Sequence, residues 1–427
     1  MSNHHSILNC LNLKDTRIIF EEEFCVRIRH SKGELSVFKA HLTEEPPQVC
    51  PKCGCLNEGK IIKHGSQVVH IKIPNVSHHP SRLDLKKQRY LCYHCHQTWI
   101  AQTPEVQPNC SISTNTRRAI LLNGRKKCSE KDIAETYNVS HSTVSRIIEN
   151  SIHQFKPNRN FLPQHLCFDE FRSVKSVDAA MSFLFINAES GEILNIFEDR
   201  KLDHLLKFFR IYSFKARACV KTIVIDMYSP YMTLIKTLFP NAQIVCDRFH
   251  IVQHLSRALN KTRIQVMNNN NLYYKKLKHF WKLLLKRYDT LDSTHYHSSL
   301  YFKHRLMREV DIVNFLLESD LVLKESYYRY QAFLEAIHAR DMDRLAQLLK
   351  QSTDNVSTYL RTAIKTLNEY ETYILNALRF ETSNGIIEGT NNLIKTIKRI
   401  AFGYRSFQKF KARILLVGRS SFNPRFA

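Results

Sequence analysis

The chain has 427 residues, 43% of them hydrophobic, enough for about two to four domains with ordinary cores, which excludes a disordered protein. A formal net charge of +24 and a pI near 9.6 imply a polyanionic partner, nucleic acid or an anionic membrane surface. No apolar run approaches the roughly 20 residues of a spanning helix, and "MSNHHSILNCLNLKD" lacks the charged start and apolar core of a signal peptide. The expectation is a cytoplasmic protein with a nucleic-acid partner and no membrane.

Residues 1–45 form a first segment in which Arg17 to Leu42 alternates like a β-hairpin, to which the sequence assigns no role. The next segment, 46–105, carries "CPKC" at Cys50 to Cys53 and "CYHC" at Cys92 to Cys95. Between them lie the strand-like runs "QVVHIKI" and "RLDLKKQRYL". Two CxxC knuckles at the ends of a small antiparallel ribbon predict a closed tetrahedral zinc site held by Cys50, Cys53, Cys92 and Cys95, structural because no position is left for substrate. Cys55, His94 and His96 are nearby competitors, and Cys55 can replace a ligand. The other cysteines, Cys10, Cys25, Cys110, Cys128, Cys167, Cys219 and Cys246, are scattered singly and read as buried small hydrophobes.

In 106–155 the stretch "CSEKDIAETYNVSHSTVSRIIEN" reads as a helix-turn-helix. Ser129 caps a helix with Ile133, Ala134 and Tyr137 inward; "YNVS" turns; Ser142 begins a second helix with Val144, Ile147 and Ile148 inward. Ser142, Thr143, Ser145 and Arg146 would then face outward, short polar side chains suited to base edges and phosphates in a major groove. The basic approach "RRAILLNGRKK" supports DNA binding over an ordinary helical hairpin.

From His165 short apolar runs begin: "HLCFDEFRSV", "AAMSFLFINAE" and "EILNIFEDR", then alternating helices and strands through "VKTIVIDMYS" and "AQIVCDRFH". This predicts a mixed α/β sheet in 160–260, with Asp169 and Asp226 ending its first and fourth strands. If those strands are neighbours, the carboxylates converge at the edge where such sheets bind ligands. Glu170 is an alternative to Asp169, since adjacent residues face opposite sides, and Asp226 is alternatively a helix cap. Residues 261–379 show helical apolar spacing throughout. There Trp281 lies among cations in "KKLKHFWKLLLKRY", placed either to stack on a displaced base or to fill a core.

"SNGIIEGTNNLIKTIKR" then puts one carboxylate, Glu388, in a basic run. On a helix Ile386, Ile387, Leu393, Ile394, Ile397 and Ile400 share one side, while Glu388 shares the other with Asn392, Lys395 and Arg399. That stripe is either a solvated face with an internal ion pair or a track for a phosphate backbone. With Asp169 and Asp226, Glu388 has the residue type for a hard-cation site, a pair of Mg²⁺ or Mn²⁺ ions acting on a phosphodiester. Tyr404 and Arg405 of "GYRSF" continue the backbone-binding surface with Lys398, while Phe402, Phe407 and Phe410 are expected to pack.

"FDEF", "VIDMYSPY", "CDRFHIV" and "SNGIIEGTNNLIKTIKRIAFGYRSFQKFKARIL" closely resemble the DDE transposases of bacterial insertion sequences, specifically the ISL-three family, over nearly the whole chain. The resemblance implies a ribonuclease-H-like catalytic domain formed by 160–260 and 380–415. Asp169, Asp226 and Glu388 would be its metal-binding triad, and 261–379 a helical insertion. It also matches Asp247 and His250 to a motif after the second aspartate; His250 would orient a phosphate or a metal-bound water, or only hydrogen-bond within the core. The implied activity is strand cleavage and strand transfer at terminal inverted repeats of double-stranded DNA. The implied assembly is a homodimer or larger synaptic complex in the bacterial cytoplasm, on the nucleoid.

Overall fold

The computed structural model describes residues 3–30, 33–152, 157–380 and 385–418. Ser383 and Asn384, which begin the last quoted motif, lie outside the described residues. The chain divides into two compact units, Met1–Lys156 with Ile394–Ala427, and Pro157–Leu393.

The first unit opens with α1 (Asn3–Cys10) and a sheet of β1 (Ile18–His30), β2 (Gly33–Leu42), β3 (Ile61–Val76), β4 (His79–Cys92) and β5 (Thr98–Ile100). The strand order is β1-β2-β4-β3, with β5 on β4. β3 and β4 form the expected antiparallel ribbon, its register setting Ile61 opposite Cys92. β4 also pairs in parallel with β2. The N-terminal hairpin and the ribbon are therefore one sheet over one core, in which Ile18, Phe38, Ile71, Leu83, Leu85 and Tyr90 are buried. The alternating apolar residues of β2 and β4 can bury only on a shared face, which joins segments that read separately in sequence.

Three short helices follow, α2 (Thr114–Gly124), α3 (Glu130–Thr136) and α4 (His141–Ser151). Ser129 caps α3 in a reciprocal capping box with Asp132. Asn138, at φ 48, makes the turn. The cap of α4 is Ser140, two residues before the expected Ser142: its hydroxyl accepts the Thr143 N–H. Val144, Ile147 and Ile148 are inward as expected, but Ser145, expected outward, lies on the same side between Val144 and Ile148 and is buried at 4% exposure. The core of these helices is completed by Ala412 and Leu416 of the last helix.

The second unit is built on β6 (His165–Arg172), β7 (Met181–Asn187), β8 (Ile193–Phe197), β9 (Thr222–Ile225) and β10 (Gln243–Cys246). Their order is β10-β9-β6-β7-β8. β6, β7 and β8 pair antiparallel; β9 and β10 add in parallel. Crossovers through α5 (Leu202–Phe209), α6 (Phe214–Ala218) and α7 (Ser229–Leu238) cover the sheet. An aromatic core of Phe168, Phe183, Phe185, Phe209 and Tyr231 holds them.

Next come α8 (Arg248–Asn269), α9 (Tyr274–His279) and α10 (Trp281–Leu285), a two-stranded β11 (His297–Ser298) and β12 (Leu306–Met307), and α11 (Glu309–Leu317). The helical run ends with α12 (Leu321–Ala339), α13 (Met342–Lys350), α14 (Thr358–Glu369) and α15 (Glu371–Arg379). α15 returns to the sheet, where Asn376 Nδ2 donates to the Ile244 carbonyl at 2.9 Å and so occupies the edge strand. The chain closes with α16 (Gly385–Ile400) and α17 (Phe407–Val417). The expected catalytic segment 380–415 straddles the division between the units, which falls within α16, because α17 buries its apolar face on the short helices of the first unit. Among the described residues no helix is long and apolar enough to cross a membrane.

Of the seven scattered cysteines only Cys167 and Cys246 are buried; Cys10, Cys25 and Cys219 are exposed, and Cys110 and Cys128 half-buried. Cys167 lies on inner strand β6 of the second sheet and Cys246 on its edge strand β10, which α15 covers. Cys25 stands on edge strand β1, where pairing with β2 resumes after a bulge, and its side chain is exposed there.

Candidate metal centres

The parallel registers of the second sheet align three aspartates. Cys167 pairs with Val224, and Cys246 with Ile225. Continuing both registers sets Asp226 beside Asp169 on one flank and Asp247 on the other. The Asp247 N–H donates to the Ile225 carbonyl at 3.0 Å. Asp169 is mid-strand rather than terminal, opposite Leu184 of β7, since β6 runs three residues further.

Glu170, the alternative, faces the other side and is already engaged. It pairs with Arg200 at 2.5 Å and accepts the Tyr231 hydroxyl at 2.7 Å. Asp226 does not cap α7, whose N-terminus lacks a side-chain cap. Its Oδ1 lies 2.9 Å from His250 Nε2, and Asp247 Oδ2 lies 3.8 Å from the same nitrogen. Asp247 also caps α8 by accepting the Phe249 N–H at 2.7 Å, which places His250 in the first turn.

Burial pushes the Asp169 carboxyl up to about 7, with the neighbouring Asp226 charge adding to it and the Glu170 N–H opposing. Burial likewise raises Asp247. For His250 burial opposes the imidazolium, but the Asp226 and Asp247 carboxylates outweigh it and hold the ring above its ordinary value. Two buried acids, Asp169 and Asp247, flanking the half-buried Asp226 are an electrostatic setting that a divalent cation relieves, and an all-oxygen donor set suits a hard one.

α16 brings Glu388 and Asn391. Gly191, in the β7–β8 turn at φ 72, lets that turn approach closely: a Cβ there would lie 2.9 Å from the Ile386 side chain. Asn391 Nδ2 donates to Asp169 Oδ2 at 2.7 Å, while its Oδ1 is buried with no hydrogen-bond partner. An orphaned acceptor beside a buried carboxylate also fits a cation or its water. Sequence reading missed Asn391, although its spacing of three from Glu388 was the signal. Among the described residues the ligand atoms of Asp226, Asp247 and His250 all lie within 4.8 Å of one another; Asp169 and Glu388 are not in that group. Glu388 is exposed, and its charge contributes to raising Asp247.

The second centre is sulfur. Cys50, Cys53, Cys55 and Cys92 share one 4.8 Å cluster, and Cys95 Sγ lies 3.9 Å from Cys50 Sγ. Cys53–Cys92 is 3.9 Å and Cys55–Cys92 is 3.5 Å. Tetrahedral zinc with its usual bond lengths sets sulfurs about 3.8 Å apart, so the cage fits the ion. The thiols cannot all ionise side by side without one: Cys53, held by the Cys55 N–H, comes down to about 6, while burial and neighbouring thiols push Cys55 up to about 12.

The two knuckles have the same backbone. Gly54 N–H donates to Cys50 O and Cys50 N–H to Cys55 O; His96 N–H donates to Cys92 O and Cys92 N–H to Gln97 O. Gly54 and His96 hold the equivalent left-handed positions, φ 73 and 55. Cys55 is thus the counterpart of Gln97, and the symmetric pairs are Cys50 with Cys53 and Cys92 with Cys95.

Of the expected DNA contacts, Ser142, Arg146, Asn392, Lys395, Arg399 and Arg405 are exposed. Thr143 is half-buried and bonds Ser140 Oγ at 2.9 Å. Lys398 is half-buried over the Phe410 ring. Tyr404, expected on the surface, packs instead: its ring lies 5.0 Å from Phe410 and burial raises its phenol. Phe407 and Phe410 pack as expected, whereas Phe402 is wholly exposed. Trp281 is half-buried at the start of α10, with Lys282 over its ring.

Comparison with known proteins adds the following. A family model described as transposase matches residues 166–414, and one described as the zinc-finger of transposase IS204/IS1001/IS1096/IS1165 matches 46–95. A Lactococcus lactis subsp. lactis protein named ATP-dependent protease is 39% identical over 118 residues, 27% of this chain and 38% of that one. The transposase for insertion sequence element IS1001 of Bordetella parapertussis is 27% identical over 258 residues, 59% of this chain and 60% of that one. The chain thus spans less than two thirds of either relative. Among solved structures the Drosophila P element transposase strand transfer complex aligns with a TM-score of 0.34 and 11% identity, covering 73% of this chain and 93% of that chain.

Proposed function

The chain belongs to the ISL3 family of DDE transposases, and from that premise we propose that it binds the terminal inverted repeats of its own element and cuts and rejoins DNA there. The observation that carries the reading is the row of Asp169, Asp226 and Asp247 across three adjacent strands, with Asn391 of the Glu388 helix bonded to it. The strand order, three antiparallel strands extended by two parallel ones on the first, supports a ribonuclease-H-like domain. The capped α3, left-handed turn and α4 support a helix-turn-helix, reading DNA through Ser142, Thr143 and Arg146.

Asp169, Asp226 and Glu388 would hold two Mg²⁺ or Mn²⁺ ions, which when bound supply Lewis-acid activation of water and stabilisation of the leaving oxygen. Asn391 orients Asp169. His250 holds a proton at Nε2 against Asp226, and Asp247 fixes His250 by starting α8. Lys395, Lys398 and Arg399 of α16, with Arg405, neutralise phosphates. In the first step a water oxygen bonds to phosphorus as the P–O3′ bond breaks, freeing a 3′-hydroxyl; in the second that hydroxyl attacks target phosphorus and displaces another 3′-oxygen. Structural zinc on Cys50, Cys53, Cys92 and Cys95 would hold the ribbon. Two ends must be joined, so a dimer or larger complex is proposed.

The test is cleavage of a labelled duplex carrying the element's ends, with Mg²⁺ or Mn²⁺, by the intact protein and by Glu388→Gln. Metal-dependent nicking lost in the variant while binding survives is expected. Binding without cleavage by either protein would make the chain a DNA-binding regulator instead.

A further inference from the structure

Phe402 is 99% exposed, at a position where phenylalanine is disfavoured twice. α16 closes with the Phe402 N–H donated to the Arg399 carbonyl and the Gly403 N–H to the Lys398 carbonyl, the paired bonds of a Schellman cap. Phe402 takes the left-handed place in that cap, φ 52. Glycine normally holds it, because a Cβ is crowded there. The ring then leaves all of its apolar surface in water. Neither backbone preference nor packing accounts for this residue.

The turn that presents the ring is anchored. Ala401 and Tyr404, on either side of the cap, line a recess of the first unit together with Lys126, Lys127 and Arg413. Arg413 donates to the carbonyls of Lys126 and Cys128 at 3.1 and 2.6 Å. The surroundings are mainly cationic: Arg399, Arg405, Lys126 and Lys127 are all exposed, against one buried carboxylate in the recess, Glu130. An exposed aromatic ring on a hydrogen-bonded turn among cations complements a polyanion whose interior offers flat apolar faces, which describes a nucleic acid and not an acidic protein surface.

We propose that Phe402 is a wedge that inserts against a nucleobase, at a base step of the DNA bound by the first unit. The inference rests on the DNA-binding reading above, and goes beyond it by naming the residue that distorts the duplex.

The experiment titrates full-length protein against duplexes carrying the element's terminal sequence, with 2-aminopurine placed at one position at a time. The wild type should raise the fluorescence at one step, reporting an unstacked base. Phe402→Gly should lose that rise and bind about ten-fold more weakly, while melting no lower than the wild type because glycine relieves the cap. Phe402→Tyr should keep both signals. A fluorescence rise that persists in Phe402→Gly, or wild-type binding with no rise anywhere, overturns the proposal. So does an unchanged DNA signal with a lighter assembly in sedimentation, which would make the ring a protein contact. Failure of the wild type to bind the duplex at all would sink the DNA-binding reading itself, a result distinct from a loss confined to Phe402→Gly.

Discussion

Asp169 shows how far a single residue's environment decides its behaviour. Its folded-state pKa, about 7, lies above the ordinary 3.8, so folding favours the protonated acid. The ionised form therefore weakens the fold increasingly as pH rises from about 4 to about 7, and the full penalty, at most about 4 kcal/mol, is present above that. Asp169→Asn removes the ionisable group. In metal-free buffer the variant should gain on the wild type across that window, by urea melts at pH 4.5 and 8, and Mg²⁺ should stabilise only the wild type at pH 8. A stability difference that does not move with pH would show that burial is not the cause.

At the same scale, the five thiols around the ribbon sort by backbone symmetry. Cys55→Ser should retain one zinc per chain and Cys95→Ser should lose it, measured by metal analysis after gel filtration. The reverse would give Cys55 the fourth position. The two CxxC pairs were legible as a metal motif because ligand spacing is local. Which of five sulfurs converge depends on how two distant knuckles meet, which spacing does not encode.

At the scale of elements, α16 keeps the amphipathic pattern of its sequence: Ile387, Ile394 and Ile397 are buried and Ile386, Leu393 and Ile400 half-buried, while Glu388, Asn392, Lys395 and Arg399 are exposed. A 3.6-residue period survives translation into structure because one face must bury. α4 is less legible: several hydroxyls compete to cap it, and Ser140 rather than Ser142 does so, while Ser145 is buried because it sits between Val144 and Ile148 on the apolar side. α17, which the resemblance places with the catalytic segment 380–415, packs on the short helices of the first unit. Leu416, at 2% exposure, belongs to the core of α2, α3 and α4. Leu416→Ala should cost the first unit about 2–4 kcal/mol, weakening binding to terminal-repeat DNA, while Leu300→Ala, at an exposed site, should cost almost nothing. Equal urea melts for the two variants would mean that α17 is not part of that core.

For the molecule as a whole, composition, charge and motif order were enough to indicate a folded, nucleic-acid-directed chain with a metal-bearing ribbon ahead of a mixed sheet. Those properties are sums or short-range patterns, and the chain carries them wherever it goes. Only the tertiary structure aligned Asp247 with Asp169 and Asp226, because strand register joins residues 78 apart in sequence at the ends of the row. It alone put Asn391 on Asp169, occupied Glu170 with Arg200 and Tyr231, merged the N-terminal hairpin with the ribbon, and left Phe402 bare on its cap. Each of these depends on which surfaces meet when distant segments bury their apolar faces together, and no local pattern of the sequence contains that pairing.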